Sequence, residues 1–116
     1  MSHYHDVLSD LSEPTKSLRE AIPDAWSGFA ALHRGALAEG AIPTRVKEVM
    51  ALAIAVVEGC DGCIAFHAKA AARRGATPEE VAEGIGVALL MSGGPGSIYG
   101  PRAWAAYNEF AAARAG

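Results

Sequence analysis

The stretch Pro43-Thr44-Arg45-Val46-Lys47-Glu48-Val49-Met50-Ala51-Leu52-Ala53-Ile54-Ala55-Val56-Val57-Glu58-Gly59-Cys60-Asp61-Gly62-Cys63-Ile64-Ala65-Phe66-His67 decides how the chain is read. Pro43 is pre-set for a first helical position. Nothing breaks the chain before Gly59, so a helix is expected from Pro43 to Glu58. After Lys47 and Glu48 it is apolar on every side, through Val49, Met50, Leu52, Ile54, Val56 and Val57, which predicts the central buried helix. Cys60 to Arg74 reads as the next helix, with Arg73 and Arg74 complementing the dipole at its end and Gly75 stopping it.

Outward from this pair, proline and glycine divide the chain into further helical segments. A short segment near His3 to Leu11 and another from Pro14 to Ala21 read as weak helices. Pro23 to about Leu37 is amphipathic, with Trp26, Phe29, Ala30, Leu32 or His33, and Leu37 at roughly helical spacing, and it ends near Gly40. Thr77-Pro78-Glu79-Glu80 is a capping box opening a helix through Val81, Ile85, Ala88, Leu89 and Met91. Ser92 to Ser97 breaks the chain, and Pro101 to Ala113 closes it with Trp104, Tyr107 and Phe110 on one stripe. No run alternates as a strand does. The expectation is an all-α single domain over residues 1–116, a bundle of about five to six helices.

At 116 residues the chain has room for one modest core. The apolar half of the composition is dominated by alanine, with only 7% aromatics, so the helices are thin and bury little area each. Oligomerisation is the expected source of the missing burial. A net charge of −3 removes the electrostatic reason to expect nucleic acid or an anionic membrane as partner. The N-terminal residues from Met1 to Asp6 show no cationic stretch followed by an apolar run, and the longest apolar run, Val49 to Val57, is too short to span a bilayer. A cytoplasmic location is expected. Thiols are kept reduced there, so a CxxC pair points to catalysis or metal binding rather than a structural staple.

Cys60 and Cys63 are the only cysteines. On a helix Cys60, Cys63 and His67 would project from nearly one face. Thiols in a first turn feel the positive end of the dipole, and CxxC thiols reach pKa values of roughly 3.5 to 7.5. His67 lies one turn beyond Cys63 and two beyond Cys60, so it serves Cys63 better. Cys63 is therefore the expected attacking thiolate and Cys60 the resolving partner. A peroxide would leave a sulfenic acid that the second thiol condenses to a disulfide. The same pair without peroxide would be a disulfide oxidoreductase, and spacing does not choose between the two. Glu48, read by periodicity alone, is a first-turn acid stabilised by the dipole.

The set Glu48, eleven residues, Cys60-x-x-Cys63, three residues, His67 resembles the core signature of the AhpD-like alkylhydroperoxidases in the wider carboxymuconolactone decarboxylase family. Lys47 to Val56 before the thiols and Ala65-Phe66-His67 after them reinforce the likeness. Gly93-Gly94-Pro95 with Tyr99-Gly100 resembles the C-terminal loop of small single-core members. It covers about Trp26 to Phe110. The resemblance implies an all-α fold assembled as a dimer, trimer or hexamer with its site near a subunit interface. It further implies that Glu48 and His67 form a proton relay to a peroxidatic Cys63, with Cys60 resolving. Gly62 departs from the best-known alkylhydroperoxidases, which carry a second histidine immediately before the second cysteine.

Other candidates rank lower. Zinc on Cys60, Cys63 and His67 would lack tetrahedral closure and a fourth ligand, though Glu48 keeps it in view. His33, beside Arg34, reads as a boundary residue with a satisfied hydrogen bond. His3 and His5 fall in a terminus expected to be mobile. The glycine-rich stretch at Gly93 to Gly96 lacks the lysine and preceding strand of a phosphate loop and reads as a helix connection, with Tyr99 packing toward the site. The acids at 79, 80 and 83 read as a solvated face. The functional expectation is a thiol antioxidant enzyme with no bound cofactor or metal. Its partners would be a hydroperoxide or disulfide substrate, an external dithiol reductant and further copies of itself. The rival is a non-enzymatic redox-responsive binding or assembly protein that does not turn over.

Overall fold

The structure is a computed structural model that describes residues 3–115; Met1, Ser2 and Gly116 lie outside the described residues. Six helices follow in order: α1 (His3–Ala21), α2 (Pro23–Leu37), α3 (Thr44–Glu58), α4 (Asp61–Arg73), α5 (Pro78–Ser92) and α6 (Gly96–Ala115). The fold is an all-α single domain. Among the described residues no helix is long and apolar enough to cross a membrane.

The helix ends follow the local chemistry of the sequence. Gly59 takes the left-handed conformation (φ 65°), its N–H donating to the Val56 carbonyl while that of Cys60 donates to Ala55. That is a Schellman ending, which glycine adopts without a Cβ penalty. Gly75 (φ 85°) repeats it after α4. Thr77 opens α5 through a reciprocal capping box with Glu80.

Several boundaries differ from the sequence reading. His3 to Ala21 is one helix with Pro14 inside it, and α6 begins at Gly96 with Pro101 inside it. A proline leaves the carbonyl four residues earlier unpaired. Asp10 with Pro14, and Ser97 with Pro101, are exposed, so water can serve those carbonyls and the helices continue. Pro43 caps α3 rather than entering it.

The core is an alanine core. Among the described residues, nine of the sixteen buried apolar ones are alanines, interleaved with Leu52, Val56, Ile64, Val81, Tyr4, Tyr107 and Phe110. Small side chains let α4 lie close against both α3 and α6. Tyr107 ties α6 to the turn after α4, its hydroxyl donating to the Ala76 carbonyl at 2.6 Å. His3 and His5 lie within α1, not in a loose terminus. His5 contacts Glu109 through both its backbone N–H and its ring, and the Tyr4 N–H donates to the same carboxylate at 3.2 Å.

The central helix is only half buried, which corrects the sequence expectation. Thr44, Glu48, Leu52, Ala55 and Val56 face the core, whereas Met50, Ile54 (57% exposed) and Val57 lie open. α2 contributes no fully buried residue. Trp26, Ala30, His33 and Leu37 turn inward while Phe29 and Leu32 face out, 58% and 67% exposed. Of Leu32 and His33, His33 belongs to the inner face.

Candidate active site

The site forms where α3 ends and α4 begins. The turn at Gly59 reverses the chain so that α4 runs back along α3, which brings the first turn of one beside the last of the other. Cys60 is not a helical residue, as its register suggested. It is the N-cap of α4 (φ −102°, ψ 101°), and its sulfur accepts the Cys63 N–H at 3.1 Å. Cys60 and Cys63 are joined as a disulfide, and both are partly buried.

Glu48 and His67 meet across the two helices. The Glu48 side chain is buried, and its Oε1 lies 2.7 Å from His67 Nδ1. With Glu48 as carboxylate, His67 donates through Nδ1 and presents Nε2 elsewhere. His67 follows Cys63 by one turn of α4, so the two residues share a face of that helix. A carboxylate buried in an alanine core is costly unless paired, and His67 is the partner that satisfies it. Periodicity alone assigned Glu48 to the helix dipole; the fold instead gives it a specific contact, as the resemblance implied.

Several neighbours enclose the thiol segment. Tyr99 packs on Gly59, where an added Cβ would stand 3.1 Å from the ring, in line with the expected direction of Tyr99. Arg102 lies over the Tyr99 ring, 5.3 Å from its centroid. Leu11 of α1 occupies the space beside Gly62, 3.3 Å from where a Cβ would be. Asp61, between the cysteines, accepts from the Tyr4 hydroxyl at 3.3 Å and lies 3.5 Å from His3 Nε2. Burial, with the Asp61 charge adding to it, pushes the Tyr4 phenol up to about 12. It therefore stays a hydrogen-bond donor throughout the physiological range.

His67 is flanked by rings. Phe66 meets it edge-on at 5.2 Å, and His33 of α2 lies nearly parallel to it, centroids 6.4 Å apart and planes 17° off. Far from being a satisfied boundary residue, His33 holds a buried Nε2 with no hydrogen-bond partner. Among the described residues no group of three His, Cys, Asp or Glu side chains converges as a metal site requires.

A sequence profile described as the carboxymuconolactone decarboxylase family matches residues 23–115. The chain belongs to the carboxymuconolactone decarboxylase family. It is 38% identical over 101 residues to an uncharacterized protein of Cupriavidus necator, covering 87% of this chain and 89% of that one. It is 36% identical over 110 residues to uncharacterized protein 4 in the cox locus of Paracoccus denitrificans, covering 88% and 96%. In structure it is similar to the apo crystal structure of a carboxymuconolactone decarboxylase family protein from Legionella pneumophila, with a TM-score of 0.93 and 33% identity over 96% of this chain and 99% of that one.

In this carboxymuconolactone decarboxylase family chain, then, Cys60 is bonded to Cys63 and Glu48 pairs with His67, with Cys63 and His67 both on α4. Sequence reasoning missed His33 and Leu11. The signal for His33 was present, since Trp26, Ala30, His33 and Leu37 keep a seven-residue repeat that outweighs the charge of its neighbour Arg34. Nothing local in the sequence links Leu11 to Gly62.

Proposed function

We propose that this protein reduces organic hydroperoxides through a dithiol–disulfide cycle in which Cys63 attacks and Cys60 resolves. The observation that carries the reading is the buried Glu48–His67 pair one helical turn from a cysteine already bonded to its neighbour. In the reduced protein His67 takes the Cys63 proton, and Glu48 stabilises the imidazolium that results. The Cys63 thiolate attacks the outer oxygen of ROOH. The O–O bond breaks, and the departing RO⁻ takes the proton from His67 to leave as ROH. Cys60, whose sulfur at the N-cap is favoured as thiolate by the Cys63 N–H, then attacks the Cys63 sulfenic acid. Hydroxide leaves, takes the second thiol proton and becomes water. Two thiols and ROOH thus give one disulfide, ROH and H₂O, and an external dithiol restores the thiols by exchange.

The working form is a homo-oligomer. Its support is the apolar surface left open on Phe29, Leu32, Ile54, Leu90 and Met91 beside a core built largely of alanine, an exposure that marks interaction surfaces. Sedimentation should find a species larger than one 12.0 kDa chain; a monomer at micromolar concentration would refute this part. A cytoplasmic location belongs to the same reading.

The test of the chemistry is intact mass and thiol count on reduced protein after one equivalent of organic hydroperoxide. Wild type should lose two thiols to an internal disulfide, and only Cys60→Ser should accumulate a sulfenic acid. If both thiols survive peroxide but exchange with a small disulfide, the protein is an oxidoreductase or redox switch. A sulfenic acid confined to Cys63→Ser would reverse the two sulfurs.

A further inference from the structure

α1 grips both of the residues that separate the cysteines. The Tyr4 hydroxyl donates to Asp61 Oδ1 at 3.3 Å, and His3 Nε2 stands 3.5 Å from Oδ2 of the same carboxylate. One residue on, Leu11 Cδ1 lies 3.3 Å from where a Gly62 Cβ would be. Tyr4 is 4% exposed and belongs to the core, so its hydroxyl holds Asp61 from a fixed place. Behind it the first turn of α1 is fastened to α6. The Tyr4 and His5 N–H groups, which no helical carbonyl serves, donate to the two oxygens of Glu109 at 3.2 and 2.8 Å. From that anchor α1 reaches the thiol turn.

Two constraints therefore act on one short turn. The Cys60–Cys63 bond joins its ends, and α1 holds the two residues between them. Each orders the same stretch of backbone at a cost in conformational entropy. Whichever acts first lowers the cost of the second, so the two are positively coupled. We propose that α1 is a redox-linked clasp: it holds the disulfide turn more tightly than the dithiol turn, and reduction of Cys60–Cys63 loosens it. Linkage makes the effect reciprocal, since a helix that prefers the bonded turn stabilises the bond by the same factor. In the step itself an external dithiol gives two electrons and two protons to the S–S bond, which opens to two thiols while the dithiol closes to its own disulfide. The coupling involves the thiol pair and its reductant alone, so it lies beyond the hydroperoxide reading and does not depend on it.

The full-length protein is equilibrated with graded mixtures of reduced and oxidised glutathione or dithiothreitol, free thiols are blocked, and the reduced fraction is read by intact mass. Tyr4→Phe keeps the ring and removes the hydroxyl on Asp61; Leu11→Ala removes the contact at Gly62. Each should shift the equilibrium about 5-fold or more toward the dithiol, the lower end of what linked sites show. Tyr107→Phe removes a buried hydrogen bond to Ala76 instead, away from the turn, and should leave the equilibrium where wild type has it. Hydrogen exchange gives the reciprocal readout: the amides of α1 should exchange about 5-fold or more faster in reduced wild type than in oxidised, while those of α5 should not change. Equal exchange of α1 in the two forms would overturn the proposal. So would an unmoved equilibrium in either α1 variant, a shift toward the disulfide, or a shift of the same size in Tyr107→Phe, which would make the effect one of general stability. No peroxide is added, so failure here leaves the hydroperoxide reading standing, and failure of that reading leaves the clasp standing.

Discussion

In the proposed mechanism the Glu48–His67 contact carries the proton transfer, and its worth can be measured. Glu48→Gln keeps the size and an acceptor oxygen but removes the charge that stabilises imidazolium. Loss of such an orienting partner costs roughly 10- to 100-fold where it has been measured around histidine ligands, and a comparable fall is expected in peroxide-driven thiol loss. Stopped-flow rates on the reduced variant check it, with circular dichroism as the control for folding. The residues that were legible in the sequence are those with local signals. Cys60, Cys63 and His67 share one short segment, so spacing alone grouped them. Glu48 sits nineteen residues before its partner, and no periodicity connects the two; only the resemblance did. His33 needed the inner face of α2 to be known, and exposed Phe29 and Leu32 had blurred which stripe was inner.

At the scale of the helices, the ends were read well and the interiors less so. Gly59, Gly75 and the Thr77 box are chemical stops and starts, each with a mechanism that works on a few neighbouring residues. Thr77→Ala removes the acceptor for the Glu80 N–H at 3.1 Å and should lower stability by about 1 kcal/mol, visible as an earlier urea midpoint at unchanged slope. The larger misreadings were two prolines that stand inside helices, at 14 and 101. Their effect depends on whether water reaches the freed carbonyl, which a sequence does not state. The half-buried state of α3 was illegible for a related reason. An apolar face reads the same whether its cover comes from its own chain or from outside it.

For the molecule as a whole, the carboxylates set the acid limit. Glu80 is bonded to Arg45 at 2.8 and 3.0 Å and caps its own helix, so it is no mere member of a solvated acidic face. The Arg45 hydrogen bond, with the Thr77 N–H behind it, draws its carboxyl from 4.5 to about 2. A depressed carboxyl contributes stability that is complete above its unfolded value and lost as pH falls toward the folded one. The midpoint of thermal unfolding should therefore drop between pH 4.5 and 2, and less so in Arg45→Met. Glu109 adds to the same slope. Burial raises its carboxyl, but hydrogen bonds from His5 and Tyr4 more than offset that and leave it lowered.

The contact of Leu11 with the Gly62 position makes two distant sites in the chain compete for one volume. A histidine at 62 must displace the end of the Leu11 side chain, whereas beside an alanine at 11 it has room. The two substitutions should be non-additive, with Gly62→His better tolerated on a Leu11→Ala background than alone. Any path of single substitutions that places a histidine between the cysteines would then be ordered, with Leu11 on α1 yielding first.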